Sequence, residues 1–113
     1  MVVYLAGFLT PLFGWKTLKV QDAFPDATYR DPASDTIVRV EFERDARDFP
    51  AHQHPPAGCD MIFCWESTLQ ERERNEMLLS RNPKLRIVEF KKIFFDYDFE
   101  LSLPEGEPAR DRG

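Results

Sequence analysis

The sequence has only two cysteines, and we expect neither a signal peptide nor a membrane span in it. Its two cysteines, Cys59 and Cys64, have four residues between them in a strand-like run, so an extended chain holds their Cα atoms well beyond the roughly 7 Å that a disulfide allows. Free thiols are typical of reducing compartments. The apolar start, residues 2–15, has no Lys or Arg before it and is shorter than the ~20 apolar residues of a membrane span. We therefore expect a cytoplasmic protein without a membrane association.

Acidic residues outnumber basic ones, 20 to 15, and several familiar site motifs are missing. The formal net charge of −5 argues against tight, nonspecific binding of nucleic acid by this chain alone. The sequence has no glycine-rich phosphate loop, no Ser/His/Asp spacing and no dinucleotide fingerprint. A group of carboxylates that binds a divalent cation would carry part of the negative charge and lose it on binding. The charge balance weakens a role with nucleic acid but does not exclude it.

The pattern of apolar residues predicts a single α/β domain over residues 1–103, followed by a polar, disordered tail over residues 104–113. The chain is long enough for one core only. In order, we expect a buried helix over 3–10, a weakly extended segment over 15–20, a strand over 36–43, a short helix near 45–49, a central strand over 60–65, a helix capped by Ser67 or Thr68 that ends before Pro83, and a strand over 85–95.

The strand over residues 36–43 carries two acidic residues at neighbouring positions of one face. Its alternation puts apolar residues on a core face and directs Glu41 and Glu43 to the opposite, charged face. A hairpin partner that begins at Asp26 would bring a third carboxyl to the same end of the sheet. Converging carboxylates are what Mg²⁺-assisted phosphodiester hydrolysis requires. The alternative is that both glutamates are exposed strand residues paired with Arg39 and Arg44.

These residues resemble the motif of the PD-(D/E)XK, or restriction-endonuclease-like, superfamily, in which Pro-Asp starts one strand and a Glu-x-Lys triplet lies on the next. The matching residues are Pro25-Asp26 and, after fourteen intervening residues, Glu41-Phe42-Glu43. The resemblance covers roughly residues 3–95 through a longer pattern: Phe24-Pro25-Asp26, Val40-Glu41-Phe42-Glu43, Phe49, His52-Gln53-His54, Cys59-Asp60 and Cys64-Trp65.

The resemblance implies a restriction-endonuclease-like α/β core, with a central mixed β-sheet of four to five strands flanked by helices. It also implies a metal-dependent nuclease in which Asp26 and Glu41 bind Mg²⁺ or Mn²⁺, while Glu43 assists metal binding or water activation. We expect DNA rather than RNA as the substrate. Because few residues lie beyond the core to recognise it, we also expect a homodimer or a subunit of a larger complex.

One departure from the superfamily pattern concerns the lysine of the triplet, whose position is taken by Glu43. Lys91, Lys16 or Lys19 would have to supply the missing ammonium from another element. If none does, the chain is an inactive relative that serves as an interaction module. The hypothesis of cleavage therefore requires a lysine from another element, whereas the hypothesis of the fold does not.

A second acidic set remains open, because Asp60 and Glu89-Phe90-Lys91 satisfy a Glu-x-Lys triplet literally. This set lacks the Pro-Asp signal. Twenty-eight residues separate Asp60 from Glu89, and they include a predicted helix. We rank this set second, with Lys91 as a contributor to the first set.

The histidines and cysteines offer a third interpretation, a zinc-stabilised binding domain. His52, His54, Cys59 and Cys64 form a His-x-His-x4-Cys-x4-Cys set with the ligand types of a structural Zn²⁺ site. Against it, Cys64 lies in an apolar strand, where a free cysteine behaves as a small core residue. We expect instead that His52 or His54, together with Asp60, borders the acidic pocket as a phosphate contact or general acid. A hydrogen-bonded loop histidine is the competing interpretation.

Overall fold

Five strands and four α-helices make up the part of the chain that the computed structural model describes, residues 2–96. The predicted tail over 104–113 lies outside these residues. In chain order the elements are α1 (Val2–Leu9), β1 (Lys16–Val20), β2 (Ala27–Asp31), β3 (Thr36–Asp45), α2 (Asp48–Ala51), a 3₁₀ turn (Pro56–Gly58), β4 (Met61–Glu66), α3 (Glu71–Arg74) with a π-helical continuation (Asn75–Leu79), β5 (Arg86–Glu89) and α4 (Phe90–Asp96).

The strands form one mixed sheet in the order β1-β2-β3-β4-β5. The first three strands are an antiparallel meander, whereas β4 runs parallel to β3 and β5 runs parallel to β4. The turn between β2 and β3 is stabilised locally, since the Asp31 carboxylate accepts a hydrogen bond from the Ala33 N–H at 3.0 Å. The expected α/β class, with a mixed sheet of four to five strands flanked by helices, is confirmed.

Apolar residues cover both faces of the sheet. Alternation along β4 directs Phe63 to one face and its neighbours Ile62 and Cys64 to the other, and all three are fully buried. One core cluster consists of Val2, Ala6, Leu9, Ala27, Tyr29, Val38, Val40, Phe63 and Phe90. The second consists of Ala46, Phe49, Cys59, Ile62, Cys64, Leu78 and Leu85. The expected central strand, covered on both faces, is therefore confirmed.

The second core cluster changes the environment of the acidic strand. In the register of β3 and β4, Glu41 pairs with Ile62 and Glu43 pairs with Cys64. Both glutamates thus lie on the covered face, where they are 4% and 6% exposed. The expectation of exposed strand residues paired with Arg39 and Arg44 is wrong, because the elements that follow β3 fold over this face.

The predicted strand over residues 85–95 is only partly correct. The chain is extended over Arg86–Glu89, and helix α4 begins at Phe90. Phe90, Ile93 and Phe94 have helical spacing, and all three contribute to the first core cluster. The need to bury this stripe explains the change of structure, so Glu89-Phe90-Lys91 is not a triplet on one strand.

The cap of α3 also differs from the prediction. Gln70 caps the helix and forms a capping box with Glu73, whereas Ser67 and Thr68 precede the helix. Thr68 is engaged elsewhere, because its hydroxyl donates a hydrogen bond of 2.8 Å to the Asp45 carboxylate. Among residues 2–96, none of the helices combines the length and the apolar character that a membrane crossing requires.

Candidate functional site

Asp26 and Glu41 are joined where β2 begins alongside β3. The backbone N–H of Asp26 donates a hydrogen bond of 3.1 Å to Oε1 of Glu41. In return, Oδ2 of Asp26 accepts a hydrogen bond of 2.9 Å from the backbone N–H of Phe42. The preceding Phe24–Pro25 peptide bond is cis. Asp26 and Glu41, which have fourteen residues between them in sequence, thus meet at one point of the sheet.

Two histidines from the loop after α2 lie against the two buried glutamates. Nε2 of His54 is 3.1 Å from Oε2 of Glu41, and Nδ1 of His52 is 3.4 Å from Oε1 of Glu43. Between them, Gln53 has a left-handed backbone with φ of 60°. This conformation costs a residue with a side chain on the order of 1 kcal/mol, and such strain is concentrated at functional sites. The loop is therefore shaped to bring both imidazoles to β3.

Aromatic rings fix the position of His54. The ring of Phe24 stacks on the imidazole with a centroid distance of 4.6 Å and an interplanar angle of 10°. Phe49 packs at a tilt with a centroid distance of 5.5 Å. Gly58 lies next to Phe24, and a Cβ at this position would collide with the phenyl ring. A glycine is thus required here for the stack of Phe24 on His54.

The two glutamates are in an environment that favours their neutral form. Burial raises the pKa of Glu41 to about 8, and the negative charge of Asp26 adds to this effect. Burial also raises the pKa of Glu43, although His52 opposes the shift. Carboxyls that are buried beside each other in this way either hold a proton or attract a cation.

Three donor residues are near enough to one another to share a metal ion. A carboxylate oxygen of Glu43 and one ring nitrogen each of His52 and His54 all lie within 4.8 Å of one another. In addition, Oε2 of Glu43 is buried and has no hydrogen-bond partner among the described residues. The donor chemistry and the unsatisfied oxygen both fit a cation at this position.

The remaining predicted site residues have other neighbours. Asp60 forms an ion pair of 2.9 Å with Arg39 and also accepts a hydrogen bond of 2.8 Å from the Arg39 backbone N–H. Lys91 lies on α4, where Nζ is 3.5 Å from the Glu66 carboxylate. Lys16 and Lys19, the other lysines considered for the missing position, are exposed on the edge strand β1.

Both cysteines lie in the second core cluster and are free. Burial, together with nearby acidic residues, raises the pKa of each thiol to about 12. Cys64 Sγ lies 3.6 Å from the Val88 carbonyl oxygen, to which it donates a weak hydrogen bond. The group of donors that the described residues bring together therefore joins the two histidines to Glu43 rather than to the cysteines.

A cleft of about 490 Å³ opens next to His54. It lies between the loop after α2 and the helical segment that contains Glu76 and Met77, and Arg81 is on its wall. The cleft offers space for a ligand beside His54. The guanidinium of Arg81 is a suitable contact for a phosphate group.

Sequence reasoning missed the pairing of each glutamate with one histidine. The signal was present in the matching spacing, since Glu41 and Glu43 are two residues apart, as are His52 and His54. Comparisons of the chain with protein-family models, with curated proteins and with solved structures found no match.

Proposed function

We propose that this chain is a metal-dependent nuclease with a restriction-endonuclease-like fold, which hydrolyses phosphodiester bonds in DNA rather than RNA. The observation that supports this best is the contact of Asp26 with Glu41 and with the Phe42 backbone at the junction of β2 and β3. Hydrogen bonds of 3.1 and 2.9 Å hold this junction together. A Pro-Asp at the start of one strand, beside a glutamate triplet on the next, is the arrangement that the PD-(D/E)XK resemblance implies.

Asp26 and Glu41 would hold Mg²⁺ or Mn²⁺, which when bound would supply an activated water and stabilise charge on the phosphoryl oxygens. Glu43, whose pKa is raised and whose Oε2 has no partner among the described residues, would assist metal binding or water activation. His52, with a side chain 57% exposed, is positioned to contact a phosphate at the entrance. Arg81 on the wall of the adjoining cleft would hold a neighbouring phosphate.

Cleavage is tested by incubating the protein with supercoiled plasmid, single-stranded DNA and single-stranded RNA, with Mg²⁺, Mn²⁺ or Zn²⁺ or with EDTA. We expect cation-dependent cleavage that Glu43→Gln reduces about 100-fold or more, since a general base contributes at least that factor. Glu71→Gln is the matched control, because it removes an exposed carboxylate on α3. Glu41→Ala is unsuitable, because Glu41 is 4% exposed and bonded to the Asp26 backbone, so its loss would also disturb the fold.

A second candidate, a catalytically inactive interaction module with the same fold, is favoured by the location of Lys91. This lysine pairs with Glu66 at 3.5 Å, so the substitute for the missing triplet lysine is engaged on α4. Absence of cleavage with every cation and substrate, in protein that is folded, would overturn the nuclease proposal in favour of this module.

A further inference from the structure

We propose that Glu43, His52 and His54 form a binding site for one divalent transition-metal ion, with Zn²⁺ as the preferred ion, and that Mg²⁺ does not occupy it. Assigning this ion as the cofactor of cleavage rests on the proposed nuclease function, whereas its binding does not. Glu43 thus shares an ion with two imidazoles, whereas the sequence had indicated carboxylates alone as its partners at a metal.

The identity of the donor atoms favours a transition-metal ion over Mg²⁺. Two imidazole nitrogens and one carboxylate oxygen lie within 4.8 Å of one another. Imidazole is a good ligand for Zn²⁺ and its first-row neighbours, whereas Mg²⁺ prefers oxygen ligands in an octahedral arrangement and gives up its waters reluctantly. Two histidines with one glutamate are also a known ligand set of catalytic Zn²⁺, which keeps its fourth position open.

The distance between the His52 imidazole and the Glu43 carboxylate also favours a shared metal ion. Nδ1 of His52 is 3.4 Å from Oε1 of Glu43, which is long for a hydrogen bond between nitrogen and oxygen. Two ligands bound tetrahedrally to Zn²⁺ at about 2.0–2.1 Å are about 3.4 Å apart. The observed separation is therefore close to that of two ligands of one ion. The His54–Glu41 distance of 3.1 Å, by contrast, is that of an ordinary hydrogen bond.

One buried carboxylate oxygen of Glu43 lacks a hydrogen-bond partner among the described residues, which favours a bound cation. This residue is 6% exposed, and its Oε2 has no hydrogen-bond partner within the described part of the chain. Burying a carboxylate oxygen without a partner is unfavourable, and a bound cation removes that cost. The observation is independent of the donor spacing and also favours a cation bound by Glu43.

Glu41 and Phe24 hold the His54 imidazole in a fixed position. With Nε2 held by Glu41, its Nδ1 is the nitrogen that remains for a metal. A histidine ligand oriented by a carboxylate is the usual arrangement around protein-bound zinc. The stacked ring of Phe24 restricts the imidazole further. Glu41 is thus a positioning residue for the metal ligand His54.

The site is tested by titrating untagged, EDTA-treated and dialysed protein with Zn²⁺ in a calorimeter and with Co²⁺ in a spectrophotometer. We expect one equivalent of Zn²⁺ to bind and Co²⁺ to give the visible absorption of a four- or five-coordinate ion. Millimolar Mg²⁺ should not displace either ion. His52→Ala and Glu43→Gln should each weaken binding about 10-fold or more, since even the loss of supporting groups costs that much.

Glu71→Gln is the matched control and should bind like the unaltered chain. Because the His52 side chain is 57% exposed, His52→Ala is expected to remain folded, which circular dichroism would verify. Zinc binding that neither variant weakens would overturn the proposal. So would equal affinity for Mg²⁺, or a thiolate charge-transfer band with Co²⁺, which would assign the ion to Cys59 or Cys64.

The two proposals fail separately. Stoichiometric Zn²⁺ binding that depends on His52, without cleavage of any nucleic acid, supports the metal site and overturns the nuclease. Cleavage with Mg²⁺ by protein that binds no Zn²⁺ in the calorimeter supports the nuclease and overturns the transition-metal site.

Discussion

A carboxyl group buried next to another carboxylate keeps its proton unless a positive charge lies against it, and Glu41 is in this position. Burial and the charge of Asp26 raise its pKa to about 8. In the metal-free protein at neutral pH, Glu41 is therefore neutral for most of the time. Its two oxygens have partners, the Asp26 N–H and the His54 ring, so its structural role does not require the charge.

The raised pKa of Glu41 has a consequence for stability. Because the folded state holds this proton more tightly than the unfolded state, the stability gained from it is complete below the ordinary pKa of about 4.5 and is lost as the pH rises through about 8. We expect the free energy of unfolding of the metal-free protein to fall across this window, by at most about 1.4 kcal/mol per pH unit for one proton. Glu41→Gln should reduce this slope.

Urea unfolding with EDTA at several pH values between 5 and 8 measures the slope. Glu71→Gln, an exposed change of the same kind, should behave like the unaltered chain. Equal slopes for the unaltered chain and Glu41→Gln would show that the proton on Glu41 does not contribute.

Some residues of the site were predictable from local pattern, and others were not. Pro25-Asp26 and Glu41-Phe42-Glu43 could be found by their spacing, and strand alternation placed the two glutamates on one face. Burial of that face was not predictable, because it depends on the loop after α2 folding over β3. For the same reason, the partners of His52 and His54 could not be derived from the sequence.

At the level of elements, Asp45 connects the end of β3 to the segment that follows β4. One carboxylate oxygen accepts hydrogen bonds from the backbone N–H groups of Arg47 and Thr68, each at 3.0 Å. The other accepts a hydrogen bond of 2.8 Å from the Thr68 hydroxyl. Burial opposes the charge on Asp45, but these hydrogen bonds lower its pKa. The Asp45 carboxylate therefore links the end of β3 to Thr68 after β4 as an anion.

Asp45→Ala should therefore destabilise the fold. It leaves two backbone donors without their acceptor, and we expect a loss of about 1–3 kcal/mol in the free energy of unfolding. Thr68→Val is the comparison variant, because it removes only the hydroxyl and keeps the backbone donor, so its loss should be smaller. Equal losses, or none for Asp45→Ala, in chemical denaturation would contradict this role.

The elements differ in how well the sequence predicted them. β3 was clear, because apolar and polar residues alternate from Val38 to Glu43. Residues 85–95 were misassigned as one strand, because a short apolar run fits a strand and a helix equally well. The spacing of Phe90, Ile93 and Phe94 was the signal for the helix, but the decision depended on the core that these side chains fill.

At the level of the whole molecule, the sheet order follows the chain order without exception. β4 and β5 run parallel to β3, so each is reached by a crossover connection. The connection from β3 to β4 contains both histidines of the site. The sequence predicted the α/β class from its alternation of helices and strands, but the order and register of β4 and β5 are long-range properties that no local pattern contains. The homodimer or larger complex expected from the sequence stays a prediction.

The formal net charge of −5 makes a general prediction about nucleic acid. Without a cation, an acidic surface repels phosphates, so we expect labelled DNA to bind with a dissociation constant weaker than about 10⁻⁴ M at physiological salt. One divalent ion at Glu43 reduces the local negative charge by two and offers a direct ligand position for a phosphate oxygen. Binding should then tighten about 10-fold or more.

Fluorescence anisotropy with duplex and single-stranded oligonucleotides, in EDTA and in Zn²⁺ or Mn²⁺, measures this difference. Glu43→Gln should bind DNA equally weakly under both conditions, because it loses the metal ligand without a large change of shape. Binding that is tight in EDTA and falls steeply with salt would mean that a basic surface holds the DNA. The carboxylate–histidine cluster would then not be the point of contact, since a repulsive acidic site cannot bind phosphate without its cation.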